Sequence, residues 1–185
     1  SAPQWVTSLT GLTGVSSSSI TNTGLTSGRV VYSTTGGLET DSANLLYSGT
    51  DLTVYGITVG RGAGAIADNT AVGASALAAN TTGAANTAYG SLALTANTTG
   101  AQNTAVGQYS MGVNTSGNQN AALGRYSLYA NQSGSYNAAF GYAALFSNTT
   151  ASNNTAVGYQ AAYSNTGNNN NVTALGYQAL YTYLS

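Results

Sequence analysis

Asn69, Asn86, Asn103, Asn120, Asn137 and Asn154 stand 17 residues apart through six consecutive copies of one pattern. The copies read NTAVGASALAANTTGAA, NTAYGSLALTANTTGAQ, NTAVGQYSMGVNTSGNQ, NAALGRYSLYANQSGSY, NAAFGYAALFSNTTASN and NTAVGYQAAYSNTGNNN; a seventh, VTALGYQALYTYLS, starts one residue late, near 172. A fixed period marks stacked units that bury their apolar sides against one another. Seventeen residues are too few for a helical hairpin repeat, which takes about 33 to 47, and a Gly at a fixed place would cost a helix about 1 kcal/mol per copy. Each copy begins N-[TA]-A-[VYLF]-G, has A/S-L/M-x-A or a near variant at positions eight to eleven, and closes on N-T-T-G or a variant, so strand and turn signals alternate. The expected fold is all-β: a parallel β-roll or β-solenoid with two short strands and two turns per coil, stacked about 4.8 Å apart.

Alternation across the first strand sets the facing of its side chains. Position three is Ala71, Ala88, Ala105, Ala122, Ala139, Ala156 and Ala174, and position five is Gly throughout. With position nine (Leu77, Leu94, Met111, Leu128, Leu145, Ala162 and Leu180) they make a thin interior of small against large. Position four (Val72, Tyr89, Val106, Leu123, Phe140, Val157 and Leu175) then lies outside as an apolar ladder, which a soluble monomer should not leave exposed. Its expected role is the contact between copies of the chain, most simply around a three-fold axis. The reverse assignment, with Val, Leu and Tyr inside, also satisfies the alternation.

Six of the seven charged side chains lie at or before Asp68, which leaves Arg125 alone in the array from 69 onward. This composition break and the motif at 57–60, Ile-Thr-Val-Gly, divide the chain into a Ser/Thr/Gly-rich β connector or attachment region at 1–56 and a repeat array at 57–185, with 57–60 as one more coil start. Strands are expected in the connector at 29–33, 43–47 and 52–59. No His, Lys or Cys is present, so His-based or Cys-based nucleophile systems, the usual zinc sites and disulfides are excluded, and a net charge of -1 gives no field for nucleic acid. No run approaches the roughly 18 to 20 apolar residues of a membrane span, and SAPQWVTSLTGLTG carries neither the basic nor the apolar region of a signal peptide.

The N-T-A-V-G coils resemble the head repeats of trimeric autotransporter adhesins of the YadA type and the related repeats of bacteriophage tail fibres. The segment GLTSGRVVYSTTGGLETDSANLLYSGTDLTVYGITVGRG is similar to those that precede such repeats in tail fibres and tail spikes. The resemblance implies a left-handed parallel β-roll assembled as a homotrimer, located in the virion, with residues 1–56 contacting other virion or fibre proteins. It also implies an intramolecular chaperone that trims itself off, with which a chain ending at Ser185 is compatible. A bacterial trimeric surface adhesin or extracellular filament subunit shares the architecture.

Two Asn ladders run through the array: Asn69, Asn86, Asn103, Asn120, Asn137 and Asn154, and, eleven residues on, Asn80, Asn97, Asn114, Asn131, Asn148 and Asn165. Asn tolerates left-handed backbone, bonds its own turn, and can join stacked coils through its amide. Asn80, Asn97, Asn114, Asn131 and Asn148 also open N-x-Ser/Thr sequons. Aromatic residues recur at position six (Tyr142, Tyr159, Tyr177) and position ten (Tyr129, Phe146, Tyr163, Tyr181), which suits either inter-coil stacking or contact with the apolar faces of a host-surface glycan. Glu39, Asp41, Asp51 and Asp68 are read as solvated loop acids, with a carboxylate pair or Ca²⁺ site as the lesser alternative. Arg125 suits either a stack on Tyr142 of the next coil or an exposed solubilising charge. Thr70, Thr87, Thr104 and Thr155 form a position-two ladder of the kind an ice-binding surface needs, interrupted at Ala121 and Ala138. The function expected overall is a structural, adhesive fibre, not an enzyme and without a cofactor.

Overall fold

The computed structural model describes residues 29–33, 39–47, 51–54, 56–166 and 169–182. Expectations for 1–28 and for Ser185 lie outside these residues. Eleven strands hydrogen-bond in sequence order into one sheet. They are β1 (Arg29–Ser33), β2 (Glu39–Tyr47), β3 (Leu52–Val54), β4 (Ile57–Gly60), β5 (Thr70–Gly73), β6 (Thr87–Tyr89), β7 (Thr104–Val106), β8 (Ala121–Leu123), β9 (Ala138–Phe140), β10 (Thr155–Val157) and β11 (Thr173–Leu175). From β5 to β11 every pairing is parallel and in register, Ala on Ala at position three. The repeat array is a β-solenoid.

Two expectations are corrected. The segment 52–59 is not one strand: Gly56, at φ 81°, turns it into the hairpin β3–β4. Ile57–Gly60 is not a coil start either, because β4 pairs antiparallel with β5, Val59 opposite Val72 and Gly60 opposite Ala71. The antiparallel strands β1 to β4 therefore meet the first coil with opposite polarity on the edge of β5.

A third correction lies inside the coil, where only one strand forms. Positions seven and nine adopt left-handed backbone in every copy, for example Tyr109 (φ 58°) and Met111 (φ 50°), so positions eight to eleven cannot extend. They still join the ladder. In the third coil the amides of Gly107 and Tyr109 donate to Tyr89 O (2.8 Å) and Ser91 O (3.0 Å) of the coil before, while Met111 and Val113 donate to Ser127 O and Tyr129 O of the coil after, both at 3.0 Å. Turn and strand thus share one continuous inter-coil network, which satisfies backbone groups that would otherwise be buried unpaired.

Ala at position three packs against position nine; Leu77, Leu94, Met111, Leu128 and Leu145 have no exposed surface. This places the position-three Ala inside and position four outside, while the expected inward position-five glycines are half-buried from Gly73 to Gly158 and exposed at Gly176. One Leu or Met per coil contributes about 1.5 to 3 kcal/mol, far too little to order a coil alone, so stacking is obligatory. From Gly73 to Gly158 the position-five glycines are required by close approach as well as by φ: a Cβ on Gly107 (φ 129°) would lie 2.6 Å from the carbonyl carbon and oxygen of Gly124.

Candidate functional site

Both Asn ladders are buried, and each is a relay of hydrogen bonds along the stack. At position one, Asn103 Oδ1 accepts from the backbone amide of Asn120 (3.0 Å) and from its Nδ2 (3.1 Å), while Asn103 Nδ2 donates to Gly117 O (2.8 Å). At position twelve, Asn114 Nδ2 donates to Asn97 Oδ1 (2.8 Å) and Gly117 O (3.1 Å), and Asn131 Nδ2 continues the chain to Asn114 Oδ1 at 2.7 Å. The amides of the sequon residues Asn80, Asn97, Asn114, Asn131 and Asn148 are thus engaged inside the rod, where a glycan has no room. The sixth coil carries one extra residue, and its inter-coil bonds span 18 positions, as in Val172 N to Asn154 Oδ1 (2.8 Å). There the relay is incomplete: among the described residues Asn154 Nδ2 and Asn165 Oδ1 have no partner.

The outer face of the parallel sheet carries position four. Tyr89, Leu123, Phe140 and Leu175 are exposed, Leu175 to 76%, and Val72, Val106 and Val157 are half-buried. Beside them on the same face, Thr70, Thr104, Thr155 and Thr173 are exposed and Thr87 is half-buried, with Ala121 and Ala138 between. The result is a flat stripe of seven apolar rungs.

The aromatic residues of positions six and ten come together as two stacks. Tyr142, Tyr159 and Tyr177 stack at centroid distances of 5.2 and 5.3 Å with planes within 12°. Tyr129, Phe146, Tyr163 and Tyr181 stack at 5.2, 5.0 and 5.2 Å with planes within 20°. The first stack is the more exposed, and Tyr129, Phe146 and Tyr163 of the second are half-buried. Between them lies a trough of about 360 Å³ lined by Tyr126, Tyr129, Tyr142, Ala143, Phe146, Gln160 and Tyr163.

Position seven decides where that trough opens. It holds Tyr109 and Tyr126 in the third and fourth coils, which stack on each other at 5.3 Å, and then Ala143, Gln160 and Gln178. Tyr126 stands edge-on to Tyr129, Tyr142 and Phe146, at 5.6, 6.3 and 6.1 Å, and blocks one end. Beyond it Gln178 Nε2 donates to Gln160 Oε1 at 2.9 Å. None of these position-seven residues stood out in the sequence, because they share no chemistry; their common signal is the change from aromatic to small or amide at one repeat position.

Arg125 does not stack on Tyr142. Its guanidinium lies 4.7 Å from the ring centroid of Tyr126, and Nη2 donates to the Tyr126 hydroxyl at 3.4 Å. Asp51 accepts the backbone amides of Arg61 and Gly62, which fixes the turn leading to the first coil, and Asp68 is exposed. Glu39 and Asp41 fall on β2; the carboxylate-pair reading of their side chains lies outside what is described. Among the described residues no cluster of three or more metal-ligating side chains occurs, and no helix is long and apolar enough to cross a membrane. Comparison with family models, curated proteins and solved structures returns no match to this chain.

Proposed function

We propose that this chain is an adhesive fibre segment of the bacteriophage tail-fibre kind, a left-handed β-roll assembled as a homotrimer that presents the aromatic trough to a host-surface glycan. The observation that carries this reading is the outward ladder at position four. Seven apolar rungs on a flat sheet face form a contiguous patch that water solvates poorly, and a second and third copy of the same face match it in spacing and chemistry. The aromatic trough is then a concave surface open to a ligand. Aromatic side chains suit sugar, offering ring surface to C–H faces and hydroxyls to polar edges. The coils from 69 onward carry a single charge and need no cofactor for adhesion, and residues 1–56 would attach the fibre to other virion proteins.

A mass measurement in solution tests the assembly: the expected species contains three chains of 18.4 kDa. A stable, monodisperse monomer would overturn the proposal. A glycan array probed with the assembled protein tests the adhesive part, and binding to no glycan would remove it.

A further inference from the structure

Resting on that adhesive reading, we infer that the trough takes a linear, neutral, β-linked glycan lying along the solenoid axis, with one sugar per coil. The walls follow the coils. Tyr142, Phe146 and Tyr163 line the trough itself, and the two stacks carry its walls on through Tyr159 and Tyr177 on one side and Tyr181 on the other, with rings spaced 5.0 to 5.3 Å along each stack. Rings in contact are only about 3.5 to 4 Å apart, so stacks at this centroid spacing are offset like slats and leave a strip of each face uncovered. The trough therefore offers the same apolar contact once per coil on both sides. An extended chain of equatorially linked pyranoses has a matching form: a flat ribbon with C–H faces on both sides, advancing by nearly one coil spacing per sugar. An α-linked chain curls and falls out of step.

The floor and the charge narrow the class further. Beyond the bond from Gln178 Nε2 to Gln160 Oε1, the amide pair carries a donor on Gln160 and an acceptor on Gln178, suited to sugar hydroxyls. Arg125, the one charge from 69 onward, is held over Tyr126 at the blocked end, so nothing charged lines the open trough and uronic or sialic acids find no partner there. Because Tyr126 closes that end, the chain enters from the Tyr177 and Tyr181 side.

The test measures affinity for neutral β-1,4-linked oligosaccharides of increasing length beside α-linked and acidic chains. Affinity for the β-linked series should rise roughly threefold to tenfold per sugar over the first three sugars, with acidic and α-linked chains weaker. Ala143→Tyr should abolish the length dependence. It places at position seven the side chain that Tyr109 and Tyr126 already carry on the same left-handed backbone, so mass and melting temperature should hold. Tyr159→Ala, at an exposed ring, provides a second variant and should cost roughly tenfold on the trisaccharide. Binding without gain beyond one sugar, preference for α-linked or acidic chains, or unchanged binding by both variants overturns the axial inference and leaves the adhesive reading in place. Loss of the trimer in Ala143→Tyr also overturns it, since the trough would then be an assembly contact. Binding to no glycan of any class removes both.

Discussion

A single side-chain amide in this solenoid makes three hydrogen bonds, so its loss costs more than its size suggests. Asn103→Ala would leave the buried backbone amide of Asn120 without its acceptor, because Asn103 Oδ1 is the group it meets. An unsatisfied buried donor costs about 1 to 3 kcal/mol, and chemical denaturation should show a loss at the upper end of that range once the vacated space is added. Asn103→Asp keeps the acceptor but turns a carboxylate oxygen toward Gly117 O, where Nδ2 now donates at 2.8 Å, and should be at least as harmful. The glycines make a sharper comparison at one repeat position. Gly107→Ala drives a Cβ into the next coil at 2.6 Å and should prevent native stacking, whereas Gly176→Ala meets nothing within 4 Å and should cost only the strain of its φ of 116°, about 1 to 3 kcal/mol. Thermal melts of the two variants check this.

At the scale of the coil, what matters is register. Excising residues 103–119 removes one whole unit and sets Asn120 where Asn103 stood, so the shortened chain should fold with the same circular dichroism per residue and a modestly lower melting temperature. Excising 103–118 shifts every later side chain to a wrong neighbour and should abolish the cooperative melt. This dependence is why the period was legible in the sequence: stacking forces the same residue type to recur wherever the interior repeats, as Ala at position three and Leu or Met at position nine do. The second strand was misread because Ala, Leu and Met at positions eight to eleven look extended, while left-handed backbone normally announces itself through Gly or Asn. Here Leu and Met at position nine and Tyr or Gln at position seven take that conformation, held by bonds from coils on either side. Ile57–Gly60 was misread for a related reason: its side chains match a coil start, and polarity is not written in side-chain type. The aromatic stacks were visible as recurrences, and the trough between them was not, since position seven has no recurrence to see.

For the whole molecule, the apolar stripe is the feature most open to test. Leu123→Glu puts a charge on an exposed central rung without touching the core, so the proposed trimer should dissociate to folded monomers, with light scattering reporting the mass and circular dichroism the fold. Unchanged mass would place the contact elsewhere. The change of strand polarity at β4 and β5 also has a kinetic meaning. Strands β1 to β4 pair antiparallel with their sequence neighbours, and every later strand adds to the edge of the one just before it. Because a ribosome delivers about 5 to 20 residues per second, a new coil emerges roughly every one to three seconds and finds its template already built. The rod is suited to fold in the order it is synthesised, as a scaffold laid from one end.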